Sequence, residues 1–201
     1  MNEQEARWIA QAQRGSDQAF TELVEMYQNP VYHLCYRMLG NAEEAEDAAQ
    51  ESFLRAYKAL RSYDSTRSFA TWLLSIASHY CIDQIRKRRM TLISLDTFVG
   101  EILPDPEPGP EAALRQNELQ QQVRGLLDSL SPLDRAAVVL FYWYDYSYDE
   151  IAQTLELSVS AVKSRLHRAR LQLASVWEAQ QPAAAAQNIP LERKRHESPA
   201  F

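Results

Sequence analysis

The stretch from Tyr148 to Leu173, YDEIAQTLELSVSAVKSRLHRARLQL, constrains the fold most, because two helical periods meet there at a short polar break. Tyr148, Ile151, Ala152 and Leu155 recur at i, i+3, i+4 and i+7, which is one apolar helix face, and Val162, Leu166, Ala169 and Leu173 repeat it after the break. The pattern predicts two short helices joined by a tight turn. On the second, Lys163, Arg165, Arg168 and Arg170 stand against no Asp or Glu between Ser158 and Leu173, and Ser158 or Ser160 supplies an N-cap hydroxyl. This is the pattern of a helix-turn-helix whose second helix enters a DNA major groove; the plainer reading is a solvated basic helix packed on a neighbour. At about 100° per residue from the apolar stripe, Ser160, Ser164, His167 and Arg168 point most nearly outward, with Lys163 on one flank.

A net charge of -6 argues against a chain that simply coats nucleic acid, but the charge is uneven. Between Arg61 and Met90, the basic residues Arg61, Arg67, Arg86, Lys87, Arg88 and Arg89 face only Asp64 and Asp83. From Thr91 to Ser160 acids dominate, with only Arg115, Arg124 and Arg135 opposing them. Two basic islands in an acidic body predict contact with nucleic acid in two places and with something else elsewhere. Cys35 and Cys81 form no Cys-x-x-Cys pair and no Cys/His set has zinc spacing, so both read as buried reduced thiols and no metal or cofactor is expected. The start lacks a signal-peptide pattern, and the longest apolar run, Ala136 to Tyr144, is too short to cross a bilayer, so the cytoplasm is the expected compartment.

The periods predict an all-α chain of two small helical domains, with no strand-like alternation. Trp8, Ile9 and Ala12 mark a first helix ended by Gly15. Ser16 or Asp17 starts a second through Phe20, Leu23, Val24 and Tyr27, which Pro30 breaks or kinks before Val31 to Leu39 continue to a C-cap at Gly40. Asn41 and Glu44 form a capping-box-like start to a helix reaching about Leu60. After a loop from Arg61 to Arg67, a long helix runs from Ser68 to Arg89. Acids with Pro104, Pro106, Pro108 and Pro110 then indicate a flexible, extended linker, assigned to 96–114. Helices resume around Glu111 and at Leu133 to Tyr144. The domains are thus 1–95 and 115–178, with the second containing the helix-turn-helix, and 179–201 reads as a disordered tail.

Aromatics set the first basic island apart from an ordinary helix end. Phe69 and Trp72 lie one turn apart, with Tyr63 before and Tyr80 after, and exposed rings beside basic residues suit single-stranded nucleic acid. Equally, the rings are core and the basic run caps the helix C-terminus. The helix from Asn41 carries Glu43, Glu44, Glu46, Asp47, Gln50 and Glu51 beside Phe53 and Leu54, an acidic partner-binding surface or a solvated face; no Glu-x-x-His pair supports a di-iron site. No phosphate loop or catalytic triad can be assembled, so nothing supports enzymatic activity.

Four stretches in order resemble the extracytoplasmic-function sigma factors of the sigma-70 class. They are Gly15 to Phe20, Asp47 to Ala56, Phe69 to Arg89 and Val162 to Arg170. The resemblance implies that Asp47, Gln50, Glu51, Phe53 and Leu54 dock on the beta-prime clamp helices of core RNA polymerase, with the beta flap a further contact. It implies that Phe69, Trp72, Ile76, His79, Asp83, Arg86, Lys87, Arg88 and Arg89 recognise and melt the minus-10 promoter element. It assigns Ser158, Ser160, Ala161, Lys163, Ser164, Arg165, His167 and Arg168 to the minus-35 element, and it implies an anti-sigma partner. This chain departs from the family at His79, where Asn is usual, at Ser160-Ala161, where many members have Gly-Thr, and in its longer tail. A free-standing helix-turn-helix regulator is the alternative, but it leaves the aromatic-basic helix and the acidic Phe53 surface unexplained.

Overall fold

The computed structural model describes residues 3–95 and 111–180, with side chains described outside 92–118. Helix α1 (Glu3–Gln13) ends at Gly15, whose φ of 97° turns the chain into α2 (Asp17–Leu39). Ser16 caps α2 by accepting from the Ala19 amide at 3.3 Å, and Gly40 closes it in the left-handed region, its amide bonded to the Tyr36 carbonyl at 2.8 Å. Of the break or kink expected at Pro30, the break does not occur, and α2 runs through the proline as one helix. The missing N–H and the ring crowding cost about 3 kcal/mol. Against that, Val31, Leu34, Met38 and Leu39 are all buried beyond the proline, at about 1.5–3 kcal/mol each, so continuing the helix is favourable.

Helix α3 (Ala42–Ala59) starts at Asn41, which accepts from the Glu44 amide at 2.9 Å. The reciprocal half of the predicted box is diverted, because the Glu44 carboxylate pairs with Arg88. A 3-10 turn (Leu60–Ser62) leads toward α4 (Phe69–Leu95), which runs on past Arg89, where the sequence placed its end. Leu23, Leu34, Met38, Leu60, Leu73 and Ile82 fill the core of this first bundle.

The second bundle begins with α5 (Glu111–Ser129), so residues 111–114 of the expected linker are helical; 96–110 lie outside the described residues. Ser131 and Pro132 open α6 (Pro132–Trp143), with the Ser131 hydroxyl accepting from the Asp134 amide at 3.2 Å. Helix α7 (Tyr148–Leu155) starts in a full capping box between Ser147 and Glu150, and Glu156 ends it at φ 54°. Helix α8 (Val159–Gln180) covers the first two residues of the expected tail, and 181–201 lie outside the described residues. No strand occurs among the described residues, and none of their helices is long and apolar enough to cross a membrane.

The two bundles pack together, α6 against α2 and α4, and α7 against α4. Polar groups fix the contact. The last carbonyls of a helix lack intrahelical partners, and Arg135, only 4% exposed, donates to the Met38 carbonyl at 2.6 Å while pairing with Asp128 at 2.9 Å. Tyr144 donates to the Pro30 carbonyl at 2.5 Å, Arg89 to that of Leu130 at 3.0 Å, and the Arg37 guanidinium lies over the Trp143 ring. Arg135→Ala is expected to cost about 1–3 kcal/mol, because the Met38 carbonyl loses its partner in a buried contact; urea unfolding measures it. Gly40→Ala is expected to cost about 1–2 kcal/mol by the same assay, because alanine resists the φ of 73° found there. The new Cβ would also meet the Arg124 side chain at 2.7 Å, a contact that flexible chain relieves by moving.

Candidate nucleic-acid interface

The turn between α7 and α8 is set by Ser158. Its hydroxyl accepts from the Ala161 amide at 3.2 Å and lies 3.0 Å from that of Ser160, which makes Ser158 the N-cap. Val162, Leu166 and Ala169 are buried against α6 and α7, so the opposite face of α8 is turned outward. Ser160, Lys163, Ser164, His167 and Arg168 are exposed on it, beside the exposed Ser158. Lys163 holds its ammonium 5.6 Å from the Tyr148 ring centroid, and Ala161 is half-buried.

Two of the basic residues turn elsewhere. Arg165 is paired with Asp134 of α6 at 2.9 Å, and Asp134 is in turn bonded by Ser131. Arg170 donates to the Tyr142 hydroxyl at 3.1 Å and lies over the Phe141 ring. Charge counting along the sequence could not separate these from Lys163 and Arg168, because their acceptors belong to α6.

On α4, Phe69 is core. At 1% exposure, packed on Tyr27, Tyr63 and Trp72, it cannot stack on a base, which corrects its placement among the melting residues. Tyr63 is buried as well, with its hydroxyl on the Arg67 carbonyl. Trp72 is different. It is half-buried, its ring 4.8 Å from Tyr63 and 5.4 Å from Phe69, and it lines a cavity of about 420 Å³ with Arg55, Arg67, Ser75, Ile76 and His79. The His79 Nδ1 lies 2.8 Å from the Ser75 carbonyl; a carbonyl only accepts, so Nδ1 is the donor of this contact and Nε2 is left for other partners.

Sequence reasoning counted Arg67 in the first basic island without assigning it to the minus-10 set, and it missed Arg55. Arg55 bonds Glu51 at 2.8 Å and lies over the Tyr80 ring, and the (i, i+4) spacing from Glu51 was its one available signal. Gln153 of α7 and Glu156, just past its end, complete the cavity wall, which puts a carboxylate beside the arginines. Along the basic run, Arg86 is near Asp83 at 3.7 Å, Arg88 pairs with Glu44 and Arg89 binds Leu130, whereas Lys87 is exposed and makes no ion pair among the described residues.

On α3, Asp47, Gln50 and Leu54 are exposed and Glu51 half-buried, at helical spacing on one face. Leu54 is 54% exposed, a large apolar side chain among acids. Phe53 points off that face and packs partly against the core.

Residues 23–91 match the family model of Sigma-70 region 2, and residues 120–173 that of Sigma-70, region 4. The chain is 39% identical over 174 residues to the ECF RNA polymerase sigma factor SigW of Bacillus subtilis (strain 168), covering 81% of this chain and 90% of the relative. It is 36% identical over 156 residues to the ECF RNA polymerase sigma factor SigE of Mycolicibacterium smegmatis, covering 77% and 60%. A solved structure of CnrH in complex with the cytosolic domain of CnrY matches with a TM-score of 0.67 at 25% identity, over 89% of this chain and 100% of that one.

Proposed function

Because this chain belongs to the extracytoplasmic-function sigma factors of the sigma-70 class, and like them directs RNA polymerase to promoters, we propose that its two basic surfaces divide the reading of the promoter between them. The outer face of α8 reads the minus-35 duplex, with Ser160, Lys163, Ser164, His167 and Arg168 in the major groove. The observation that carries this is an exposed basic face, free of acids, held on a capped two-helix unit. The α4 cavity takes an unstacked base of the minus-10 element: Trp72 offers the stacking surface, His79 Nε2 and Ser75 the hydrogen bonds, and Arg55, Arg67 and Lys87 the phosphate contacts. Arg165 acts differently, as the residue that positions α8 against α6.

The acid face of α3 with exposed Leu54 docks on the polymerase clamp helices. An apolar groove of about 330 Å³ between α5, α6 and α8, lined by Val123, Leu126, Tyr142, Trp143 and Leu173, takes the beta flap. An anti-sigma partner is proposed from the likeness to CnrH, which is held by the cytosolic domain of CnrY. The domain assignment follows the two bundles, region 2 through Leu95 and region 4 from α5 to α8, with the protein working in the cytoplasm and forming no covalent bond.

In the packed arrangement Gln153 and Glu156 wall the α4 cavity, so α7 must leave α4 before single-stranded DNA enters. The chain alone is therefore expected to bind duplex DNA weakly. Addition of core polymerase should give specific binding and run-off transcription, with polymerase recovered in a pull-down. Tight binding of the isolated chain to a palindrome as a symmetric dimer, with no polymerase recovered, is the outcome that would reject this reading in favour of a free-standing regulator.

A further inference from the structure

Helix α1 lies ahead of residues 23–91, the part of the chain that matches Sigma-70 region 2, and none of its described residues lines the α4 cavity. Its last residue nonetheless reaches the loop that builds one edge of that cavity. The Gln13 side-chain amide donates to the Leu60 carbonyl at 3.1 Å and to the Tyr63 carbonyl at 2.9 Å, across 47 and 50 positions of sequence. Both partners are carbonyls, which only accept, so the amide NH2 faces them and spends its two hydrogens there. The helix that carries Gln13 is itself anchored, with Ile9 and Ala12 in the core and Glu5 accepting from the Tyr27 hydroxyl at 2.7 Å.

Tyr63 passes the constraint on. Its hydroxyl donates to the Arg67 carbonyl at 2.5 Å, the Arg67 amide donates to the Asp64 carbonyl at 3.1 Å, and the Asp64 carboxylate accepts from the Thr66 amide at 2.9 Å. Residues 63–67 are therefore one closed turn, whose two ends are joined by the Tyr63 side chain. Residues 64–67 are all exposed, so these bonds, and not burial, give the turn its shape. The turn delivers Arg67 to the cavity wall beside Trp72 and His79, and the ring of the same Tyr63 braces Trp72 at 4.8 Å.

We propose that Gln13 is a positioning residue for promoter opening: acting through Tyr63, it holds the turn of residues 64–67 so that Arg67 meets the backbone of the minus-10 single strand while Trp72 takes the base. The inference rests on the reading of the α4 cavity as the minus-10 site. A guanidinium held in place before DNA arrives loses less conformational freedom on binding than one carried by a free loop, so Gln13 raises affinity for the single strand without touching it. The outer face of α8 is built by other bonds and does not feel this turn.

The test assembles holoenzyme from core polymerase and the full chain. The probe is the non-template single strand of a promoter that the wild-type holoenzyme transcribes, with minus-35 duplex as the comparison. Gln13→Met removes both donors at similar volume and should weaken single-strand binding several-fold, leaving minus-35 affinity and polymerase binding unchanged. Gln13→Lys, whose ammonium still donates to carbonyls, should recover most of that loss. Tyr63→Phe keeps the ring against Trp72 and removes only the bond to Arg67; it should reproduce the methionine defect, and it carries the test if Gln13→Met does not melt cooperatively. In an Arg67→Ala chain either substitution should cost little further, as residues that act through Arg67 must. Trp72→Ala checks the premise. If neither Trp72→Ala nor Gln13→Met weakens single-strand binding, the cavity reading fails and this inference with it, whereas weakening by Trp72→Ala alone overturns only the role of Gln13. Equal losses on single strand and minus-35 duplex, or full additivity with Arg67→Ala, would make Gln13 a residue of stability and overturn its part in opening.

Discussion

Arg168→Ala is expected to abolish most minus-35 recognition by the holoenzyme while leaving the chain's melting temperature unchanged, and Arg165→Ala is expected to do nearly the opposite. Arg168 is exposed on the outer face of α8 and makes no ion pair among the described residues, so its removal leaves the folded chain intact. If it reads a base, the loss is about 1–3 kcal/mol at that position, with relaxed specificity there. If it holds a phosphate, the log-log salt slope falls by about one and all sequences weaken together. Arg165 has its guanidinium 2.9 Å from an Asp134 side chain that is 15% exposed, so truncation leaves a carboxylate with only Ser131 beside it. A hydrogen bond to a charged partner contributes about 1.5–3 kcal/mol, and the 26% exposure of the Arg165 side chain places this one toward the low end. Fluorescence titration against minus-35 duplex at several salt concentrations, beside a thermal melt, separates the two. A lowered melting temperature for Arg168→Ala, or a fall in salt slope for Arg165→Ala without any loss of stability, would mean the two side chains have been assigned the wrong way round.

What could be read along the sequence was what depends on near neighbours. The capping hydroxyls at Ser16, Ser131 and Ser158 act on amides three residues on, and the stripe of Val162, Leu166 and Ala169 is a property of one helix. Those spacings fixed the helix-turn-helix and the outward face of α8. Pro30 left a break and a kink both open, because its penalty is local, whereas the burial that rules out the break comes from α2 packing on other helices. Phe69 and Trp72, three residues apart, share one stripe and one chemistry, and only the positions of Tyr27 and Tyr63 make the first core and leave the second at a cavity edge. The Arg135 contact with Met38 joins residues 97 apart in sequence and had no signal in the chain. The same is true of the carboxylate that Glu156 brings to the α4 cavity, since the sequence gives no reason to set a turn of the helix-turn-helix beside Trp72.

Trp72→Ala is expected to separate promoter binding from promoter opening. The ring is half-buried, braced by Tyr63 at 4.8 Å and Phe69 at 5.4 Å, with its remaining surface on the cavity that also holds His79. A face presented in this way stabilises an unstacked base, worth about 1–3 kcal/mol per stacked base, and adds little to recognition of closed duplex. The mutant should still bind core polymerase and the minus-35 element, yet lose permanganate reactivity of thymines around minus-10, and a pre-opened, mismatched promoter should restore transcription. The competing effect is loss of packing. Truncating a fully buried Trp costs about 3–5 kcal/mol, and this ring, being only part-buried, should cost less. Trp72→Phe weighs the two contributions, because it keeps a stacking surface while removing volume from the contact with Tyr63. Opening retained in Trp72→Phe and lost in Trp72→Ala, with both chains melting cooperatively near wild type, is the result expected of a ring that holds a base. Equal loss of opening and of stability in both variants would make Trp72 a packing residue, and normal opening by a folded Trp72→Ala chain would remove it from melting altogether.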